Sequence, residues 1–279
     1  MSDLHQLKEL SPAQKEAYLE NGFLCIEDFV SPEVCDRLRQ RAAGIVTELE
    51  ANKGVFSTIH QEKTSDEWFL SSGDKVRLFM EEVEVDGYSG HMVNKIGHAL
   101  HALDPEFTAF TRQNRLGRIV EDLGFRQPLL LQSMYIFKQP GIGGEVAVHQ
   151  DSTFLYTNPL SVTGFWFALE DATIANACLW ALPGGHRLNL KKRFHRDGEG
   201  GCTFTELEAG DLPEDGYVPL EVRKGSLVIL HGNLPHKSAP NRSERTREAF
   251  TLHIVEGEAD YPTDNWLQRD PGFPARGFA

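Results

Sequence analysis

LLLQSMYIF (129–137), EVAVHQD (145–151), TGFWFALE (163–170), CLWAL (178–182), SLVIL (226–230) and AFTLHIVE (249–256) are the stretches that decide the fold. Each is short and rich in β-branched and aromatic residues, with apolar and polar positions alternating in several, the period of a strand. Gly, Pro and Asn turns separate them, and no helical pattern lies between. Strands without crossover helices predict a sandwich or barrel, not a doubly wound parallel sheet. The long, polar, Gly-rich stretch 184–216 interrupts the series. A connection of that length in a compact domain predicts a mobile lid over a functional site.

Upstream the pattern is mostly helical. Ser11-Pro12, Ser31-Pro32 and Asp104-Pro105 each place a capping residue before a proline, the signature of a helix start. Gly22 stands where the first helix should stop. Val34, Leu38, Ala42, Ile45 and Leu49 recur at helical spacing. Phe23–Val30 and Lys75–Met80 are the strand candidates of this part.

Of 279 residues, 40% are hydrophobic and 25% charged, with a formal net charge of −13. Such a chain can bury a sizeable core, and its acidic surface repels phosphate backbones and anionic lipid. Neither nucleic-acid nor membrane binding is therefore expected. Four scattered cysteines (Cys25, Cys35, Cys178, Cys202) form no CxxC and suggest a reducing compartment. MSDLHQLKEL (1–10) has no signal-peptide pattern, no apolar run reaches membrane-spanning length, and ARGFA (275–279) is no peroxisomal tripeptide. A cytoplasmic protein is expected.

Chemistry concentrates in two places. His149 and Asp151 are two apart on a candidate strand, so both side chains point to one face. An imidazole and a carboxylate are two of the three ligands of a 2-His-1-carboxylate metal site. Directly after SLVIL comes HGNLPH (231–236), where either His231 or His236 could supply the third. No P-loop or GxSxG is present, and Gly141–Gly144 lacks the third glycine of a dinucleotide loop.

Taken together, His149-x-Asp151, His236 and Arg247 resemble the Fe(II)/2-oxoglutarate oxygenases of the phytanoyl-CoA dioxygenase family. VNKIGHALH (93–101), LQSMYIFKQP (131–140), CLWALPGGH (178–186) and HKSAPNRSERTR (236–247) read like that family too. The resemblance implies a mainly β fold with flanking α-helices. Its core would be a double-stranded β-helix (jelly-roll, cupin-like) over 129–256, with a mostly helical region 1–128 packed on it in one domain, 1–279. It selects His236 over His231, since the family ligand stands two before the Ser and eleven before the Arg. His149, Asp151 and His236 would then bind Fe(II), and Arg247 would clasp the distal carboxylate of 2-oxoglutarate, with Ser238 beside it. Lys95, Met134 and Trp166 would line the cosubstrate pocket. O2 is the second cosubstrate, ascorbate a supporting reductant, and a small molecule is hydroxylated with release of succinate and CO2. A carboxylate at 151 favours hydroxylation over halogenation, for which related enzymes keep a small residue. His91, His98, His101, His186 and His253 read as structural. The basic run Lys191–Arg196 could meet an anionic substrate. Two other classes fit the triad, a zinc hydrolase and a catalytically silent binding protein.

Overall fold

The computed structural model describes residues 9–49, 53–55, 67–85 and 88–278. The first eight residues, part of the stretch read for a signal peptide, lie outside it. The chain opens with helix α1 (Pro12–Asn21), strand β1 (Phe23–Ile26) and helix α2 (Pro32–Leu49). Next come β2 (Lys53–Val55), α3 (Glu67–Leu70), β3 (Val76–Val85), β4 (Tyr88–His98), α4 (Leu100–Leu103), α5 (Pro105–Thr111) and α6 (Asn114–Asp122). The second half holds β5 (Pro128–Lys138), β6 (Val146–His149), β7 (Thr163–Ala168), β8 (Leu179–Ala181), β9 (Lys192–Arg196) and β10 (Cys202–Glu206). It closes with β11 (Val218–Leu220), β12 (Leu227–His231), β13 (His236–Ser238) and β14 (Arg247–Glu256).

Two sheets make the jelly-roll core. The large one has eight strands in the order β1-β12-β7-β14-β5-β4-β3-β2, and the small one has four, β11-β8-β13-β6. Apart from the parallel β2–β3 pair, the ladders are antiparallel. Between the sheets lie Trp166, Ala168, Cys178, Leu179, Ala181, Val228, Leu230 and Ala249. The outer face of the large sheet is covered by helices: the Phe110 ring meets Phe167, and the Phe107 ring meets Phe250, each at 4.9 Å. From α2, Leu38, Ala42 and Ile45 join this layer, as their spacing predicts.

The helix starts were readable because the caps are real. Ser11 Oγ accepts from the Gln14 amide while Gln14 Oε1 accepts from the Ser11 amide, a capping box. Asp104 accepts from the amides of Glu106 and Phe107. Gly22 stops α1 at φ +80°, where an L side chain is strained.

The region 1–128 carries more helix than strand, and its strands β1 to β4 also supply four of the eight strands of the large sheet. Glu81, Glu82, Glu84 and Gly90 broke the apolar pattern there. Two expectations need correction. The stretch 184–216 is no bare loop: it folds into the β9–β10 hairpin after a short 3-10 turn, Gly185–Arg187. Asp151 does not share a strand with His149; β6 ends at His149, and Asp151 opens the 3-10 turn Asp151–Thr153.

Candidate metal centre

His149 and His236 face each other across the β6–β13 ladder, their rings 4.2 Å apart. In each, Nδ1 lies 2.9 Å from a backbone carbonyl two residues upstream, Ala147 and Leu234. A carbonyl only accepts, so Nδ1 carries the proton and Nε2 turns a lone pair inward. Asp151 Oδ1 sits 3.5 Å from His149 Nε2 and 3.7 Å from His236 Nε2. The ligand atoms of the three residues lie within 4.8 Å of one another. Three acceptors converging on one point are a donor set for a cation, and two imidazoles with one carboxylate suit Fe(II).

Gln150, between the two ligands, points the other way and is buried. Its amide donates to the Asn233 carbonyl (2.9 Å) and its oxygen accepts from the Lys191 amide (3.1 Å). The Ser152 amide donates to the Gly232 carbonyl at 2.9 Å. These bonds fix the Asp151 turn against the turn that delivers His236.

Electrostatics agree with the geometry. Burial would raise the Asp151 carboxyl, but His236, His253 and His149 outweigh it and hold the group well below the usual carboxylate range. Burial opposes charge on His149, yet the hydrogen bond and charge of Asp151 raise it. His236 is pushed down to about 4, by burial first and by neighbouring His149 second.

Strand register explains the rest of the site. Across the large sheet Arg247 pairs with Lys138, Thr251 with Met134 and Trp166, and Lys95 with Ile136. Directly opposed residues share a face, so Lys95, Met134, Trp166 and Arg247 all stand on the face turned to the small sheet. Arg247 is 1% exposed, its Cζ lies 5.3 Å over the Trp166 ring, and Nε and Nη1 have no hydrogen-bond partner. Among the described residues no ion pair reaches it. Burial pulls Arg247 down to about 10 and Lys95 down to about 8. The Lys95 ammonium lies 5.4 Å from the Phe79 ring and 5.9 Å from the Phe69 ring. Ser238 is buried on β13, where its hydroxyl donates to the Ala177 carbonyl at 3.0 Å.

The other histidines separate cleanly. His231 lies outside the cluster, tilted against His186 at 5.2 Å. His98 and His101 hold Ser72 and Ser133, each at 2.8 Å. His253 and Lys138 were missed as site residues. His253 Nε2 is 3.4 Å from Asp151 Oδ2, and Lys138 lies buried beside Arg247, pushed down to about 7 by burial and by that guanidinium. A weak signal existed: Thr251 and His253 are polar two apart on a strand whose neighbouring positions Phe250, Leu252 and Ile254 are apolar. The basic run 191–196 is largely used internally. Lys191 pairs with Glu208 at 2.7 Å, Arg193 with Asp264, and Arg196 donates to the Leu70 and Trp266 carbonyls.

The model of the phytanoyl-CoA dioxygenase (PhyH) family matches residues 18–249. The chain is 42% identical over 269 residues to a phytanoyl-CoA dioxygenase of Arabidopsis thaliana, covering 93% of this chain and 94% of that protein. It is 42% identical over 282 residues to phytanoyl-CoA dioxygenase domain-containing protein 1 of Bos taurus, covering 95% of this chain and 97% of the relative. Among solved structures, a non-heme alpha-ketoglutarate-dependent carbocyclase from nogalamycin biosynthesis superposes with a TM-score of 0.67 at 19% identity, covering 96% of each chain.

Proposed function

The chain belongs to the phytanoyl-CoA dioxygenase family, and on that footing we propose that it is an Fe(II)- and 2-oxoglutarate-dependent dioxygenase that hydroxylates a small molecule. The observation that carries this reading is the pairing of two features on one interior face. One is the converging His149, Asp151 and His236 donors; the other is a buried Arg247 whose Nε and Nη1 have no partner. A zinc hydrolase would use the triad and leave the guanidinium unexplained. A dicarboxylate cosubstrate explains both.

Bound iron supplies the oxidising chemistry that couples loss of CO2 from 2-oxoglutarate, with O2, to insertion of oxygen into a C–H bond. The protein's own residues bind and orient. His149, Asp151 and His236 hold the metal. Arg247 offers its planar fork to the distal carboxylate, and Trp166 backs the guanidinium. Lys95 adds charge, and Met134 closes an apolar wall. Ser238 reaches the same carboxylate by turning its proton away from Ala177. Apolar walls exclude water around these groups, which strengthens each contact. The carbocyclase on the same fold has another outcome, so the fold alone does not specify hydroxylation.

Succinate release from 2-oxoglutarate, with Fe(II) and ascorbate, with and without a metabolite extract, tests the reading. The expected result is turnover stimulated by an extract fraction that gains oxygen, abolished in His149→Ala, Asp151→Ala and His236→Ala and retained in His231→Ala. Turnover lost in His231→Ala but intact in His236→Ala would overturn the ligand assignment.

A further inference from the structure

Asp151 has two carboxylate oxygens with different surroundings. Oδ1 faces the Nε2 atoms of His149 and His236, at 3.5 and 3.7 Å. Oδ2 faces the large sheet, 3.4 Å from Nε2 of His253 on β14. His253 is buried, and its other ring nitrogen, Nδ1, is buried without a hydrogen-bond partner. With the proton on Nε2, the ring donates to Oδ2. The opposite tautomer would set a lone pair against a carboxylate oxygen, at the cost of an unmet acceptor.

The contact exists because of a missing side chain. His253 is paired in register with Gly164 of β7. A Cβ on Gly164 would lie 3.1 Å from Asp151 Oδ2 and 3.5 Å from Cδ2 of His253. Strand β7 is otherwise TxFWFA, every position buried, and a glycine inside a strand weakens it unless something approaches closely. Here the carboxylate and the imidazole do.

We propose that His253 is a positioning residue for the metal-binding carboxylate, with Gly164 as the cradle that admits it. The inference rests on the metal-centre reading above. His253 holds Oδ2 turned away from the two ligand imidazoles, so Asp151 offers the metal Oδ1 alone. A carboxylate bonded through one oxygen leaves more of the metal's coordination free for cosubstrate than one that chelates. This is the outer-sphere hydrogen bond that ligating carboxylates commonly need.

The test is the Mn(II) dissociation constant of the full chain, by titration calorimetry without cosubstrate, with melting temperature measured alongside. His253→Phe keeps a ring but removes the donor, and binding should weaken about 10- to 100-fold. His253→Gln restores an N–H and should recover most of that loss. Gly164→Ala should weaken Mn(II) binding in the same direction through the carboxylate. Wild-type Mn(II) affinity in folded His253→Phe would overturn the inference alone; if that variant does not fold, wild-type affinity in Gly164→Ala would do so. Equal Mn(II) binding by wild type and His236→Ala would overturn the metal centre, and the inference with it.

Discussion

Arg247 is 1% exposed, and keeping an unpaired guanidinium there costs the fold on the order of several kcal/mol. That cost is returned when an anion arrives. Removing one partner of a buried charge pair costs ~2–5 kcal/mol, roughly 30-fold to several-thousand-fold in 2-oxoglutarate affinity for Arg247→Ala. Arg247→Lys should recover only part, because an ammonium keeps the charge without the fork. Arg245, exposed just before β14, is the control, and its Ala variant should bind as wild type. Calorimetry with Mn(II)-loaded variants decides; the reverse ranking would mean that the register of the family match is wrong. His149, Asp151, His236 and Arg247 were legible because a ligand set leaves a spacing in the sequence. His253 left none. It stands 17 residues beyond His236 and reaches Asp151 only through the pairing of β14 with β7.

The β9–β10 hairpin shows what an element adds to its residues. Composition made 184–216 a lid candidate, but Arg193–Asp264, Lys191–Glu208 and the carbonyl contacts of Arg196 tie the hairpin to the body. Its aromatic side, Phe194 and Phe204, packs on Phe154, whose ring lies 6.0 Å from that of His149. The hairpin therefore walls the candidate metal centre as a fixed element. Hydrogen exchange on the free protein should show ladder amides within Lys192–Arg196 protected and the tip 197–201 fast. Uniformly fast exchange across both would restore the lid. Of strands β3 and β4, only the start of β3, within Lys75–Met80, was legible. Glu81, Glu82 and Glu84 interrupt the rest of β3, and Gly90 and Gly97 interrupt β4, so neither displays an unbroken apolar alternation.

Buried histidines away from the candidate metal centre add to the whole molecule's sensitivity to acid. His101, on the buried side of α4, is pushed down to about 3 by burial, and His231, against His186, to about 4. Their folded values lie below the unfolded 6.5, so unfolding takes up protons and stability falls as pH drops below that value. Each such group contributes about 1.4 kcal/mol per pH unit, so the pair steepens the loss by about 2.7 kcal/mol per unit between roughly pH 6 and 4. Denaturant melts of the metal-free protein across that range should show the slope, reduced by about half of this increment in His231→Asn. An unchanged slope in that variant would mean that His231 is already charged in the fold. These shifts could not be read before the chain was folded. Burial under a helix layer is a property of the assembled sheets, whereas the fold class was readable strand by strand from 129 onward.

One metal and one dicarboxylate meet in the proposed site, so metal-dependent binding of 2-oxoglutarate is its most direct test. Calorimetric titration of 2-oxoglutarate into the metal-free chain and into the same chain loaded with Fe(II) under argon isolates the coupling. One molecule should bind per chain with iron present, and binding should weaken at least tenfold without it, since the keto-acid end then loses its partner while Arg247 keeps the other. Equal affinity in the two titrations, or no binding in either, would contradict it.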